Sequence, residues 1–492
     1  MIWHIGIRNH KARVFLVAVV LLSAMLLPAV SFHPSLPSLR LEEFVLFGGW
    51  MVCLGVWAYG KGLKGLLRRS ASEGAEELSV HTDGDYLQAR RWVGRVVHAV
   101  ILALVLSYAA SNIYAVCFKG ALFTFRDVME LVTFFKYYLV ITLVISIRPD
   151  WGEWRFLQGA ALAGMIILVG LGWVQHWDLA GFNTWMSAFL NPMQWEYMIF
   201  SLPSRAMGVF DNPNVYGMLA VILLAVLGVR YFFAEKSLKR FPLVLLLLMA
   251  LLIKMEYLTL SRTALVGVAV LFTGCGAWAL RRLGWNRKSW ARIGVLLGVT
   301  LLLLTTAGDF LWRVGEGMDF ENSTSMQGHI LRWEEASGQF AESPVLGWGT
   351  QKSTMPTVVD NEYLLYLRRY GVVGLLAYAG FFLAPWVLAV AALRRMRTQG
   401  AGLGVDADSG GSAAIPERLL PAAAYVVVLP SILIYNFMAG IFYNLQIMTV
   451  LVMLMGFAYN GLIEVKCQER RRAAEKGNEQ VRKPMEKPEM PG

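Results

Sequence analysis

The sequence predicts an all-α, polytopic integral membrane protein of about 12 transmembrane helices, with a large helical outer loop between spans 9 and 10. Composition is the first reason. Of 492 residues, 57% are hydrophobic and 16% charged, and the mean hydropathy is +0.51. A soluble chain carries about a quarter charged residues, so this one has too little polar surface to cover its apolar mass. The second reason is spacing: apolar runs near the ~20 residues that cross a bilayer recur along nearly the whole chain. The third is charge, because Lys and Arg collect in alternate loops between those runs. A soluble enzyme with a membrane tail is therefore excluded. Cys53, Cys117, Cys275 and Cys467 are scattered, with no pair at zinc, redox or haem spacing, which argues against a disulfide framework or a cysteine metal site.

Taken in order, the first span, near 14–30, follows Arg8, Lys11 and Arg13. The same segment has the outline of a signal peptide, with Ala29-Val30-Ser31 as a cleavage site, and either reading leaves the later orientation unchanged. Spans follow near 43–60, 93–114, 128–147, 155–174 and 215–233, then near 241–258, 262–280, 292–310, 361–392, 420–436 and 441–464. Runs such as Leu243 to Leu252 do not alternate apolar with polar, so these are helices and not barrel strands. Residues 61–92 and 393–419 are inner loops, the second a flexible Gly- and Ser-rich linker. Residues 1–466 thus form a single polytopic membrane domain. Residues 467–492 form a charged cytoplasmic tail, expected to be disordered beyond a short helical start. No internal repeat is evident.

With an inside amino terminus, the inner segments hold 33 of the 45 Lys and Arg residues and the outer segments 8; Lys136, Lys254, Arg368 and Arg369 lie in or at span ends. That bias supports the span count, the orientation and cytoplasmic placement of both termini. The net charge of +11 is therefore topological, and nucleic acid is not an expected partner.

Two outer loops, 175–214 and 311–360, are longer than a connection requires, and such loops in compact proteins are functional or disordered. They are rich in Trp177, Trp185, Trp195, Trp312, Trp333 and Trp348, which argues against disorder. Met326, Ile330, Trp333 and Phe340 share a helical stripe over 325–341. A structured cap over a site at the outer membrane face is the expectation; an interfacial aromatic belt is the alternative for any one Trp.

The few outer basic residues run against the bias and so carry information. Arg205 precedes span six, Arg262 sits in the tight turn between spans seven and eight, and Asp360 lies where the large loop enters span ten. All three fall at one membrane depth, which suits chemistry on a lipid-linked diphosphate. A guanidinium pairs with phosphate through two parallel hydrogen bonds, and a carboxylate near a hydroxyl can act as general base. Each residue also has a plainer reading: Arg262 snorkelling to the interface, Arg205 in a surface ion pair, and Asp360 as the amino-terminal cap of span ten.

At these residues the chain resembles the O-antigen ligase and O-antigen polymerase family of bacterial membrane glycosyltransferases. Arg205 with Asn212-Pro213-Asn214 resembles the family's motif before a central span, and Ser261-Arg262-Thr263 its arginine turn. Gln339-Phe340, Glu342-Ser343-Pro344 and Leu346-Gly347-Trp348-Gly349 resemble the end of its large periplasmic loop. Asp360-Asn361-Glu362-Tyr363-Leu364, then Gly371 and Gly374-Leu375-Leu376, resemble the start of the next span. The resemblance runs from about 200 to 380, in the family's order and spacing.

It implies metal-independent, inverting transfer of glycan from undecaprenyl diphosphate at the outer face of the bacterial inner membrane, with no cofactor. The implied partners are a lipid-linked glycan donor, a glycan acceptor, membrane lipids, and flippase and chain-length regulator proteins. Arg205 and Arg262 would hold the diphosphate, and Asp360 would take or align the acceptor hydroxyl proton. Ligases of the family commonly have His where this chain has Asp360, so a polymerase is the reading, with ligase-type transfer of finished polymer to lipid A core or another acceptor as the alternative.

Weaker candidates surround these three. Asn212, Asn214, Asp211 and Asn361 could bind sugar hydroxyls, Arg332 and Arg313 could add phosphate contacts, and Trp333 and Trp348 could stack on sugar rings. Turn formation before Pro213 explains Asp211 equally well. Glu256 and Lys254 are ionisable groups at membrane depth, two residues apart and on different helix faces. His329 has no partner at recognisable spacing and reads as a surface residue of the loop helix. No metal site is expected. A polytopic transporter of lipid-linked or polysaccharide substrate fits less well, since transporters favour repeated halves and midplane charges. A non-catalytic scaffold for a polysaccharide complex is the remaining rival.

Overall fold

The computed structural model describes residues 9–28, 40–66, 84–187, 205–210, 212–235, 242–316, 324–355, 359–401 and 414–482, with Trp3, Ile7 and Ser237. Among them every regular element is helical, as expected. In chain order these are α1 (His10–Leu26), α2 (Leu41–Leu66), α3 (Gly84–Lys119), α4 (Phe125–Ile145), α5 (Trp151–His176) and a short α6 (Phe182–Ser187). Next come α7 (Pro213–Phe233), α8 (Leu243–Thr259), α9 (Arg262–Leu283) and α10 (Arg287–Leu304). The large loop contributes α11 (Gly308–Glu316) and α12 (Thr324–Glu342), and α13 (Glu362–Ala401), α14 (Leu420–Tyr435) and α15 (Leu445–Arg482) complete the chain.

Eight described helices are long and apolar enough to cross a membrane: α3, α4, α5, α7, α9, α13, α14 and α15. The four other expected spans coincide with α1, α2, α8 and α10. Of these, α1 and α8 have 17 residues each, and α10 opens with Arg287, Lys288 and Arg292. On length and composition, then, eight of the twelve expected spans are present. The helix starts follow capping chemistry legible in the sequence. Asp150 and Glu153 form a capping box on α5, and Asn212, followed by Pro213 at the first helical position, caps α7.

Two of the membrane-length helices, α7 and α15, lie at the centre. α7 is buried along nearly its whole length and is packed by α8, α9 and α14, while α15 is packed by α3, α4, α13 and α14. Gly217 permits one of the close approaches: a Cβ there would sit 2.8 Å from the Ala264 Cβ and from Glu256 Oε2. Around this centre, α3, α5, α8 and α13 leave large apolar side chains exposed, among them Leu106, Ile166, Leu247 and Leu376. In water that surface would drive aggregation; in a bilayer it is the lipid face.

Polar contacts sort the helix ends into two groups. At one end His10 meets Glu153 (3.0 Å), Arg148 and Arg418 meet Glu464 (3.3 and 3.2 Å), and Arg230 meets Glu417 (2.9 Å). At the other, hereafter the loop end, Lys352 is bound to Asp127 and Thr350 to Asn112. The tail departs from expectation, because α15 runs without a break to Arg482. Residues 469–482 are rich in Glu, Arg, Ala, Lys and Gln, all strong helix formers, and Glu469 pairs with Arg395 at 3.3 Å.

One charged cluster is sealed between α2 and α4. Lys136 Nζ lies 3.2 Å from Glu42 and 3.0 Å from Glu43, all three buried, with Arg40 4.0 Å from Glu43. Removing one partner of a buried pair strands the other charge. Lys136→Met is therefore expected to destabilise the fold by about 3 kcal/mol or more, measured as a fall in Tm in detergent.

Candidate active site

The loop end is organised by a break in α13. Gly371 has φ 61° and ψ −162°, a conformation that residues with a side chain rarely adopt. A break of this kind orphans backbone groups on both sides, and buried orphans are costly. The end of the large loop supplies their partners. Trp348 N–H donates to the Arg368 carbonyl (2.9 Å) and Gly349 N–H to that of Arg369 (2.8 Å). In return, Val372 and Val373 donate to the carbonyls of Pro344 (2.9 Å) and Val345 (3.3 Å). The fit allows no side chain: a Cβ on Gly347 would lie 2.5 Å from the Arg369 carbonyl, and one on Gly371 would collide with the Val345 carbonyl. This is what the Leu346-Gly347-Trp348-Gly349 sequence does here.

The following residues tie the loop to the bundle. Thr350 bonds Asn112 Oδ1 through both its N–H (3.1 Å) and hydroxyl (2.7 Å), and Lys352 N–H donates to Asp127 Oδ1 (2.9 Å). Lys352 Nζ reaches the fully buried Glu130 at 3.0 Å, where Arg369 also lies at 3.6 Å. Tyr370 and Tyr443 donate their hydroxyls to the same carboxylate. Burial, reinforced by the Glu130 charge, pushes the Tyr443 hydroxyl well above its usual pKa and so keeps it a donor. One buried carboxylate thus gathers two cations and two phenols from three segments. These residues were not among the sequence candidates, since they lie far apart in the chain.

Beyond the tie, the chain enters α13 past Asp360. Asn361, not Asp360, caps this helix, its Oδ1 accepting from Leu364 N–H at 3.1 Å. Asp360 is freed from capping and turns to the loop helix α12. It forms an ion pair with Arg332, and His329 Nδ1 lies 3.0 Å from its Oδ2. That nitrogen is buried and close enough to pair, although off line for a hydrogen bond. The reading of His329 as a surface residue without a partner is thereby corrected. The available signal was that His329 and Arg332 stand three apart, on one face of the helix expected over 325–341. Trp333 follows on that face, its ring 6.2 Å from His329 and 6.0 Å from Phe437.

The two arginines occupy a second cluster at the same end. Arg205 is buried, with Nε donating to the Thr259 carbonyl (2.9 Å) and a terminal nitrogen to Asn214 Oδ1 (3.0 Å). Asn212 accepts from Asn214 N–H at 2.8 Å. The Asn-Pro-Asn sequence therefore both starts α7 and holds an arginine against the end of α8. Leu260, at φ 52°, makes the tight turn, and Ser261 caps α9 by accepting from Ala264 N–H at 3.2 Å. Arg262, the first residue of α9, is half-buried and makes no hydrogen bond or ion pair among the described residues. Glu256, fully buried beside Gly217, lies within electrostatic reach of Arg205 and does not pair with Lys254, which donates to Thr306 at 3.0 Å.

The clusters are joined through the end of α14. Tyr435 lies within electrostatic reach of Arg205, Glu256 and Glu362, and the Asn436 carbonyl accepts from Glu362 N–H at 2.9 Å. Three helix amino termini, those of α7, α9 and α13, bring partial positive charge to this end. Trp348 stands apart from Asp360: its Nε1 donates to the Gln339 carbonyl (2.7 Å), and Lys119 lies 4.8 Å over its ring. Asp211 and the side chain of Arg313 lie outside the described residues. Among the described residues no three His, Cys, Asp or Glu side chains gather as a metal site.

Residues 245–379 match the model of a family described as O-antigen ligase. The match spans α8, the arginine turn, the large loop and the start of α13, so it contains Arg262, His329, Arg332 and Asp360, while Arg205 precedes it. No curated protein matches the chain. Gly371→Ala is expected to cost about 3 kcal/mol through strain and the clash with Val345, and to release residues 343–352, seen as new sites of limited proteolysis in the loop.

Proposed function

We propose that this protein is a membrane glycosyltransferase that polymerises a bacterial cell-surface polysaccharide. It moves glycan from undecaprenyl-diphosphate-linked oligosaccharide to an acceptor sugar hydroxyl on the outer face of the cytoplasmic membrane. The observation that carries the reading lies within the segment matched to the O-antigen ligase family. There, Arg262, which has no hydrogen bond or ion pair among the described residues, shares one end of the bundle with a carboxylate–imidazole pair, Asp360 and His329.

The chemistry follows from those groups. The donor diphosphate lies against Arg205 and Arg262, whose guanidinium forks suit phosphate oxygens and stay charged at any relevant pH. The Asp360–His329 pair takes the proton of the acceptor hydroxyl, with the carboxylate, 3.0 Å from the imidazole, steadying its charge as the proton arrives. The acceptor oxygen attacks the anomeric carbon from the face opposite the phosphate. The bond from that carbon to the diphosphate oxygen breaks, and undecaprenyl diphosphate leaves with inversion at the sugar. Fixed positive charge aimed at the leaving group lowers the barrier, more so where lipid excludes water. Arginines supply that charge, so the proposed reaction needs no metal. The tied-down loop serves to hold Asp360 and His329 in register with the arginine turn.

Three variants test the assignment in a glycan-transfer assay with purified protein. Arg262→Lys keeps the charge but loses the fork, and is expected to lower kcat/KM by about tenfold or more, the scale of one charge-assisted hydrogen bond; near-normal transfer would argue against bidentate diphosphate binding. His329→Ala and Asp360→Asn are each expected to lower kcat by at least ~100-fold, the usual scale of general-base loss. Their effects should overlap in the double variant, since the two act as one unit. Independent, multiplying losses would separate them.

A further inference from the structure

The glycan chemistry leaves unused a groove on the membrane face of the bundle. α9 and α13 both pack on α14 but scarcely on each other, and the gap between them is a cavity of about 800 Å³ floored by α14. Away from its arginines the walls are mostly apolar, with Gly274, Ala277 and Trp278 on α9, Leu393 on α13, and Val427 and Pro430 on α14. Gly274, Ala277 and Pro430 are exposed, so the slot opens sideways onto lipid. Pro430 has no N–H and leaves the Val426 carbonyl without its helical donor, but Trp386 Nε1 donates to it at 3.0 Å. The floor therefore presents no unmet backbone acceptor to a hydrocarbon chain.

One mouth of this slot is strongly basic. Arg281 and Arg282 on the last turn of α9 and Arg394 on α13 line it, and among the described residues no carboxylate does. Arg282 donates to the Ala414 carbonyl at 3.3 Å, while Arg281 and Arg394 are exposed and form no ion pair or hydrogen bond among the described residues. This mouth lies at the end of the bundle opposite Asp360, where the sequence concentrates its positive charge. We propose that the groove binds an anionic phospholipid, its acyl chains against α14 and its phosphate held by Arg281, Arg282 and Arg394. An apolar channel between helices closed by a cluster of guanidiniums matches such a lipid in both shape and charge.

The test uses the full-length protein in detergent, titrated with phosphatidylglycerol and with phosphatidylcholine of the same acyl chains, and read by native mass spectrometry and by Tm. Phosphatidylglycerol is expected to bind more tightly and to raise Tm more. Replacing the arginines (Arg281→Gln, Arg282→Gln, Arg394→Gln) should erode that preference by roughly fivefold for each residue. Ala277→Leu should weaken both lipids by narrowing the slot. Equal binding of the two lipids to the unmodified protein, or an unchanged preference in the triple variant, would overturn the proposal. So would equal stabilisation by inorganic phosphate alone, since no lipid would then be required. Weakening of both lipids by Ala277→Leu without any headgroup preference would mean a slot for hydrocarbon only, and the phosphate assignment would fail.

Discussion

The loop end of this protein depends on one interruption of backbone hydrogen bonding. A helix in hydrocarbon must satisfy its own polar groups, so a break inside α13 is tolerated only where other protein groups answer it. At Gly371 the answer is backbone: four hydrogen bonds join residues 344–349 to the residues flanking the break. The large loop is thus part of the bundle's own hydrogen-bond ladder. The ion pairs at Glu130 and the bonds to Asn112 and Asp127 then extend that attachment onto α3 and α4. Asp360 lies between this tie, which ends at Lys352, and the start of α13 at Glu362.

The two arginines are held very differently, and the contrast is informative. Arg205 is anchored by a carbonyl and an amide oxygen, which fix its direction, with the buried Glu256 in electrostatic reach. Arg262 stands at a helix amino terminus, where the dipole opposes a cation, and finds no carboxylate nearby among the described residues. Such an arrangement is unfavourable for stability alone. An arriving anion would relieve that cost, which is the basis of the proposed diphosphate contact.

Much of this was legible in the sequence because hydropathy and charge bias are local signals. The helical class and the family-like motifs were readable from residues a few positions apart, and so was the helix in the large loop. What those motifs do was not readable. The Gly347-Trp348-Gly349 sequence mates with a helix break some twenty residues later, and no pattern in a single chain announces that pairing. The same holds for Glu130 with Lys352 and for His329 with Asp360, whose partners are brought together only by the fold. Asp360 fitted a helix cap on local grounds, yet Asn361 beside it has the geometry to cap and takes that role. The tail misled in the other direction: its charge suggested disorder, while its composition favours the helix that continues from α15.

The most direct measurement is a glycan gel. Purified protein in liposomes would receive undecaprenyl-diphosphate-linked repeat units and no other sugar. A ladder of repeat multiples, with free undecaprenyl diphosphate released in step, is the result this account predicts. Transfer that begins only when a separate acceptor is supplied would contradict the polymerase assignment and identify a ligase. An absence of transfer under both conditions, from protein that remains folded, would contradict the glycosyltransferase reading itself.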